Sequence, residues 1–437
     1  MSIAESGATA PIAKLFDNHA AVALARCKAI AQFTEQQGQI LRTFLSPPME
    51  ECHRLIGRWM EAAGMRVSVD RVGNLRGYYA APEESPSTPR LIIASHLDTV
   101  PNAGKYDGIL GVVLGISLIE SLEGRRLNFG IEVIGFSDEE GVRYGVPFIG
   151  SRALAGTLKP AQLARKDANG VRMASALDDY SSAHPEAVEP ALHPQSRAYI
   201  EFHIEQGPVL EEENLALGVV EAIAGQSRAA VTFRGRAGHA GTTPMPLRRD
   251  SLAAAAEWLT TVEAGALATP GLVATSGFIA CEPGAANVIP GSTRCSLDVR
   301  HANDETRTTA LQKILATADA VGARRQIAVE HVVEHDQAAV PLDPALMSIA
   351  EKSLQDAGVR STRMVSGAGH DAMILAPHLP TAMIFLRSPG GISHHPDESV
   401  HVDDVAIALR AGLSFLDRFE SEFVVTTRES ESPSCTT

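Results

Sequence analysis

The chain has no run approaching the roughly 18 consecutive apolar residues that a membrane-spanning helix requires, which excludes a helical bilayer span. Its opening residues, MSIAESGATAPIAK, lack a basic segment followed by an apolar core, so a cytoplasmic location is expected. Positive charge is scarce: 38 Lys and Arg stand against 52 Asp and Glu, a formal net charge of -14. A nucleic-acid partner is therefore not expected, because phosphate-backbone binding needs clustered Lys and Arg. A cationic or zwitterionic small substrate is compatible with this balance. Cysteine is sparse too: Cys27, Cys52, Cys281, Cys295 and Cys435 are odd in number, widely spaced and free of any CxxC pair. That usage fits a reducing compartment and offers no metal ligand or nucleophile.

What is present starts with length. At 437 residues the chain exceeds the roughly 100–200 residues of a typical domain, so two domains are expected. The segment to about Gly64 has helical periodicity, VSVDRVGNLRGYYA alternates about Gly73-Asn74 as a hairpin does, and APEESPSTP reads as an exposed loop. From Leu91 the pattern becomes strand, glycine loop, buried helix (GILGVVLGISLIESLEG) and interior strand (IEVIGF). This alternation predicts an α/β fold, a mixed and mostly parallel sheet flanked by helices. Between residues 222 and 335 the pattern changes. RAAVTFRGRAGHAG, GLVATSGFIA and STRCSLDVRH read as strands, and SLAAAAEWLTTVEA and ETRTTALQKILATADAVG as helices. Two helices on an antiparallel sheet, an α+β and ferredoxin-like arrangement, are predicted there as an inserted lid. Residues 1–221 with 336–425 form the predicted discontinuous catalytic domain, and 426–437 a polar, disordered tail.

Four predicted strands run into loops rich in metal-ligating residues. LIIA leads to SHLDTVPNAGKYDG with His96, Asp98 and Asp107; IEVIGF leads to SDEEG with Glu139 and Glu140. AYIEFHIEQG carries His203, and TAMIFLRSPGGISHH ends in His394 and His395. Ligands of parallel sheets bind beyond the carboxyl ends of the strands, so these loops are expected to meet. Taken alone, His96 is as well explained as a buried structural histidine. Together, a bridging Asp, a Glu and three His supply three ligands to each of two ions and leave room for a bridging water. Adjacent side chains at Glu139-Glu140 diverge, so one carboxylate can bind metal while the other acts as general base. The competing explanation is a helix N-terminus, where Asp138, Glu139 and Glu140 would favour the dipole.

These residues resemble the metal-dependent M20 peptidase clan, and within it the branch of allantoate amidohydrolases and N-carbamoyl-L-amino-acid hydrolases. The likeness runs from about Leu15 to Phe419, through SHLDTVPNAGKYDG, FSDEEGVRYG, GSRALAG, HIEQGPVLE, GRAGHAGTTPM, NVIPG, LDVRH, SGAGHDA and GGISHHPDE. It implies that His96, Asp107 and His203 hold one divalent ion and Asp107, Glu140 and His394 the other, with Glu139 as base. Zinc or manganese, or else cobalt or nickel, would occupy the two positions. Asp98 is implied to orient a ligand from behind, and His395 to face solvent or support the site. His203 in HIEQG favours carbamoyl chemistry, since many aminopeptidase and deacylase relatives carry an acidic residue there.

The resemblance further implies that His239 stabilises the developing oxyanion, commonly in the partner subunit's active site of a homodimer joined through the lid. Gln226, Asn287, Arg300, Gly369 and His370 match substrate contacts, Arg300 holding a carboxylate through its fork. Without the resemblance, His239 would be a turn histidine between glycines and Arg300 a solvated charge. FSDEEGVR, GVVEAIAGQSR and SGAGHDA look closest to allantoate amidohydrolases, which release ammonia and carbon dioxide from a ureido group. An N-carbamoyl-L-amino-acid or N-carbamoyl-β-alanine hydrolase is the alternative within the class. A non-catalytic, metal-stabilised binding protein that closes on an acidic ligand is the alternative outside it.

Overall fold

In the computed structural model, residues 9–424 are described except position 361, with side chains from Leu15 onward. The expected disordered tail, 426–437, lies outside the described residues. The chain divides into two units, one of residues 1–221, 342–364 and 370–437, the other of residues 222–341 and 365–369. The second unit runs past the expected close at 335 because its edge strand continues to Gln337. Among the described residues no helix is long and apolar enough to cross a membrane.

The first unit is built on a mixed sheet. Its strands run in the order Arg66–Val69, Leu75–Tyr79, Gly130–Phe136, Arg90–His96, Ser196–Ile204, Thr381–Leu386, Leu217–Ile223. The hairpin about Gly73-Asn74 forms as expected, antiparallel. Gly130–Phe136, Arg90–His96, Ser196–Ile204 and Thr381–Leu386 are mutually parallel. Their side chains are almost all buried, as strands covered on both faces must be. Parallel direction has a direct consequence for chemistry: four carboxyl ends emerge at one edge, and those are the ends that carry His96, Glu139-Glu140, His203 and His394.

Helix Ile109–Ser121 starts immediately after Gly108 and packs on these central strands. It is apolar around its whole circumference because helices Thr9–Ile30 and Val402–Arg418 cover its other side. Close approach is possible because Gly111 lies where a Cβ would meet the Phe202 carbonyl oxygen, and Gly115 lies against Val133 and Ile93.

Helix Pro47–Ala62 buries Met49, Cys52, His53, Ile56 and Met60, one face at helical spacing. His53 is the polar intruder, and its Nε2 has no hydrogen-bond partner among the described residues. Burial, aided by the His184 charge, lowers its pKa to about 4. Between about pH 6.5 and 4 the unfolded chain binds a proton that the native chain rejects. Stability contributed by neutral His53 is therefore complete above pH 6.5 and lost as pH falls toward 4. Denaturant unfolding at pH 7 and pH 5 should show the wild type losing about 2 kcal/mol more than His53→Leu over that interval. Identical pH dependence of the two proteins would refute this assignment.

The second unit has an antiparallel sheet in the order Ile279–Glu282, Ser292–His301, Gly225–Arg234, Ala328–Gln337. Helices Ser251–Leu267 and Asp304–Arg325 pack on it around Val231, Phe233, Trp258, Leu297, Val299 and Ile314. Asp250 and Asn303 cap these helices by accepting backbone N–H bonds. Trp258 Nε1 donates to the Ile314 carbonyl at 3.0 Å, tying one helix to the other. The expected single strand GLVATSGFIA is instead two, Val273–Thr275 and Ile279–Glu282, both paired with Ser292–His301. The break falls at Ser276-Gly277-Phe278, where glycine weakens a strand.

Candidate metal centre

His96 is the last residue of its strand and lies in register with Phe136, two residues before the acidic run. Its Nδ1 lies 3.1 Å from the Asp98 carbonyl oxygen and 3.5 Å from Asp98 Oδ1. His203 Nδ1 lies 2.9 Å from the Ile204 carbonyl oxygen. A carbonyl can only accept, so both rings carry their proton on Nδ1 and turn Nε2 inward. The two Nε2 atoms stand 3.4 Å apart.

Asp107 Oδ1 lies 3.4 Å from His203 Nε2, and Oδ2 lies 3.0 Å from His394 Nε2. His394 Nε2 is 3.4 Å from Glu140 Oε1. Two ligand-capable groups result, His96-Asp107-His203 and Asp107-Glu140-His394, with one Asp107 oxygen toward each. Tetrahedral bonds of about 2.0–2.1 Å place ligand atoms about 3.3 Å apart, the spacing found here. His394 adopts a left-handed backbone, φ 54°, a strain characteristic of functional positions.

Electrostatics also call for cations here. Burial opposes charge on His96, but the Asp98 hydrogen bond and carboxylate reverse this and hold its pKa well above the usual value. Burial lowers His203 to about 4, leaving its Nε2 lone pair available. Asp107 is buried, yet the His394 hydrogen bond and the His203 and His96 charges hold its carboxyl below the usual range. Hydrogen bonding to Asp107 raises His394 to about 9, so a metal ion bound there would have to displace a proton. Burial pushes Glu140 up to about 7 and Glu139 well above its usual value, the latter reinforced by Glu140. A cluster of buried acids with these shifts is relieved by positive charge, and the donor set fits two divalent ions.

Asp98 reaches further than the residues around it suggest. Its Oδ1 accepts the Glu139 N–H at 2.9 Å and its Oδ2 the Glu140 N–H at 3.1 Å. One carboxylate thus grips the backbone of the whole Glu-Glu pair while facing His96. Both glutamates come within ligand range of His96 in a further group, His96-Glu139-Glu140. Asp138 is separate: burial, then the Asp98 charge, pushes its carboxyl well above the usual range.

Sequence reasoning missed three neighbours. Gln206 Nε2 donates to both Asp107 oxygens, at 3.0 and 3.1 Å, and Ser393 Oγ donates to Oδ2 at 3.2 Å. Glu201, fully buried, accepts from Tyr199 Oη at 2.8 Å, Ala372 N at 3.0 Å and Ser95 Oγ at 3.3 Å. It stands two residues before His203, hence on the same strand face, and that alternation was the available signal. His370 forms a further group with Glu201 and His203. It is 1% exposed, its ring 4.5 Å from His203 and 5.6 Å from Phe385. His395 faces outward and pairs with Asp397 at 3.6 Å.

The remaining expected substrate residues, His239, Gln226, Asn287, Arg300 and Gly369, belong to the second unit. His239 pairs with Val288 in a two-stranded ribbon, and the Asn287 carbonyl accepts the Ala240 N–H at 2.9 Å. His239 Nδ1 accepts from Gly241 N at 3.1 Å and Thr242 N at 3.2 Å, which puts the ring proton on exposed Nε2. Arg300 places Nε and Nη2 on Asp298, at 2.8 and 3.0 Å, and Nη1 on the Gly367 carbonyl. Gln226 and Arg228 also donate to Asp298, at 2.7 and 3.0 Å. Arg228, Asp298, Arg300 and His301 line a cavity of about 810 Å³ within this unit. Gly369 is exposed, beside the buried His370.

Comparison with known proteins places this centre in a lineage. A model of the peptidase family M20/M25/M40 matches residues 92–418. The chain is 39% identical to a probable allantoate deiminase of Oryza sativa subsp. japonica, over 90% of this chain and 87% of that protein. It is 38% identical to an N-carbamoyl-L-amino-acid amidohydrolase of Pseudomonas sp. (strain NS671), over 85% and 91% respectively. A crystal structure of a hydantoinase/carbamoylase family amidase from Burkholderia multivorans superposes with a TM-score of 0.86 at 31% identity, covering 91% of this chain and 97% of that one. With the match spanning the strand ends that carry His96, Asp107, Glu139, Glu140, His203 and His394, the chain belongs to the peptidase family M20/M25/M40.

Proposed function

We propose that this protein is a dinuclear-metal amidohydrolase that cleaves the ureido group of a small carboxylate, allantoate foremost. The observation that carries this reading is Asp107, whose two oxygens face two different histidine-bearing groups beside Glu139. His96, Asp107 and His203 would hold one ion, and Asp107, Glu140 and His394 the other; zinc or manganese suits these ligands, with cobalt or nickel as substitutes. Two ions held there would supply Lewis acidity and lower the pKa of a water. Glu139 takes the proton of the attacking water on its carboxylate and delivers it to the departing nitrogen. His239 donates its Nε2–H to the carbonyl oxygen as negative charge develops, reaching across a homodimer formed through the second unit. Arg300, Gln226, Asn287, Gly369 and His370 orient the substrate, Arg300 by donating to the substrate's carboxylate. Water and the ureido group become the free amine and carbamic acid, which breaks down to ammonia and carbon dioxide.

Relatives named for allantoate and for N-carbamoyl-L-amino acids match at nearly equal identity, 39% and 38%, which keeps N-carbamoyl-L-amino acids as the second reading. The experiment is a substrate panel. Apo-protein reloaded with Mn²⁺ or Zn²⁺ receives allantoate and several N-carbamoyl-amino acids, with ammonia and product amine both measured. Metal-dependent release of ammonia, fastest from allantoate, is expected. Binding without turnover of any ureido compound in the loaded protein would point to a binding protein instead.

A further inference from the structure

Asp107 and His394 sit on loops from distant parts of the chain. One loop joins strand Arg90–His96 to helix Ile109–Ser121, the other joins strand Thr381–Leu386 to helix Val402–Arg418. Neither loop has regular structure at its ligand, and left-handed residues punctuate both: Asn102 and Gly108 in the first, Gly390, Gly391 and His394 in the second. Such loops need an outside brace if Asp107 is to be held accurately.

Glu398 occupies the place of that brace. Its side chain is 3% exposed, and Oε1 accepts the Tyr106 N–H at 2.7 Å and the Asp107 N–H at 3.1 Å. Its own N–H donates to the His395 carbonyl at 3.0 Å, anchoring it in the His394 loop. Ser393 Oγ lies 3.2 Å from Asp107 Oδ2 and 3.5 Å from Glu398 Oε2, a second tie between the loops. Gly104 completes the notch. A Cβ there would overlap Glu398 Cβ, Cδ and Oε1, so the glutamate lies where only a hydrogen fits.

We propose that Glu398 is a positioning residue, a latch that locks the His394 loop onto the backbone of Asp107 and thereby sets the geometry of the shared ligand. The proposal rests on the reading of Asp107 as a metal ligand. A carboxylate accepting two consecutive backbone N–H groups is a strong, directional clamp. Supporting contacts of this kind are worth about 10- to 100-fold in metal affinity.

The test uses the full chain and Mn²⁺ as the probe, with affinity from equilibrium dialysis, stoichiometry from elemental analysis, and folding followed by circular dichroism of the apo-proteins. Glu398→Ala should bind Mn²⁺ about 10- to 100-fold more weakly while its apo-protein still folds, as its circular dichroism spectrum reports. Glu398→Gln, whose amide oxygen can still accept both N–H groups, should recover most of that loss. Gly104→Ala, which displaces Glu398 without altering any proposed ligand, should reproduce the Ala phenotype. Wild-type Mn²⁺ affinity in a folded Glu398→Ala, or no recovery in Glu398→Gln, would overturn the latch. If Glu398→Ala fails to fold, Gly104→Ala decides, and wild-type affinity there is equally fatal. Failure of the underlying site reading looks different: Asp107→Ala would then bind Mn²⁺ as the wild type does.

Discussion

Replacing Glu139 by glutamine is expected to leave bound metal at the wild-type level and to lower kcat by about 10²- to 10⁴-fold, the scale of a positioned acid–base group. Glutamine keeps the shape of the side chain and the backbone N–H that Asp98 Oδ1 accepts, so the Glu-Glu turn should stand. What disappears is the oxygen that can carry a proton. Glu140→Gln should behave differently, because Glu140 faces His394 and Asp107 in a ligand-capable group; it should lose metal along with activity. Parallel elemental analysis and single-turnover kinetics on the two variants decide the matter. Equal metal loss in both would abolish the division of labour between neighbouring carboxylates.

The second large effect should come from Asp107→Ala. Its two oxygens face separate histidine groups, so one substitution should empty both positions, whereas His394→Ala should chiefly empty one. Gln206 and Ser393 also lose their contacts with the Asp107 carboxylate in Asp107→Ala. Activity should fall below detection at metal concentrations that saturate the wild type. Two ions retained per Asp107→Ala chain would remove the sharing of this residue.

The clustering of these residues was legible in the sequence, for a physical reason. A parallel strand exposes its chemistry at the carboxyl end, so an apolar run followed by His, Asp or Glu marks a ligand-bearing loop. His96, Glu139-Glu140, His203 and His394 all follow that grammar. Period-two alternation would also have exposed Glu201, on the same strand face as His203. The resemblance to a known family then implied roles that spacing alone left open, among them base and ligand at Glu139 and Glu140.

Other features depend on partners that no local pattern names. Asp107 N and Glu398 Oε1 are 291 residues apart, and Asp98 and the Glu139 amide are separated by 41. Arg300, expected to hold a substrate carboxylate through its fork, has its Nε and Nη2 on Asp298, two residues away on the same strand face. His370, expected as a substrate contact, lies buried against His203. By itself the sequence determined which residue types stand at the ends of which strands, because backbone periodicity and apolar patterning are local properties. Only the tertiary structure decided which donor each carboxylate accepts from and which loop braces which ligand, because those choices are made by strand order and close packing between segments remote in the chain.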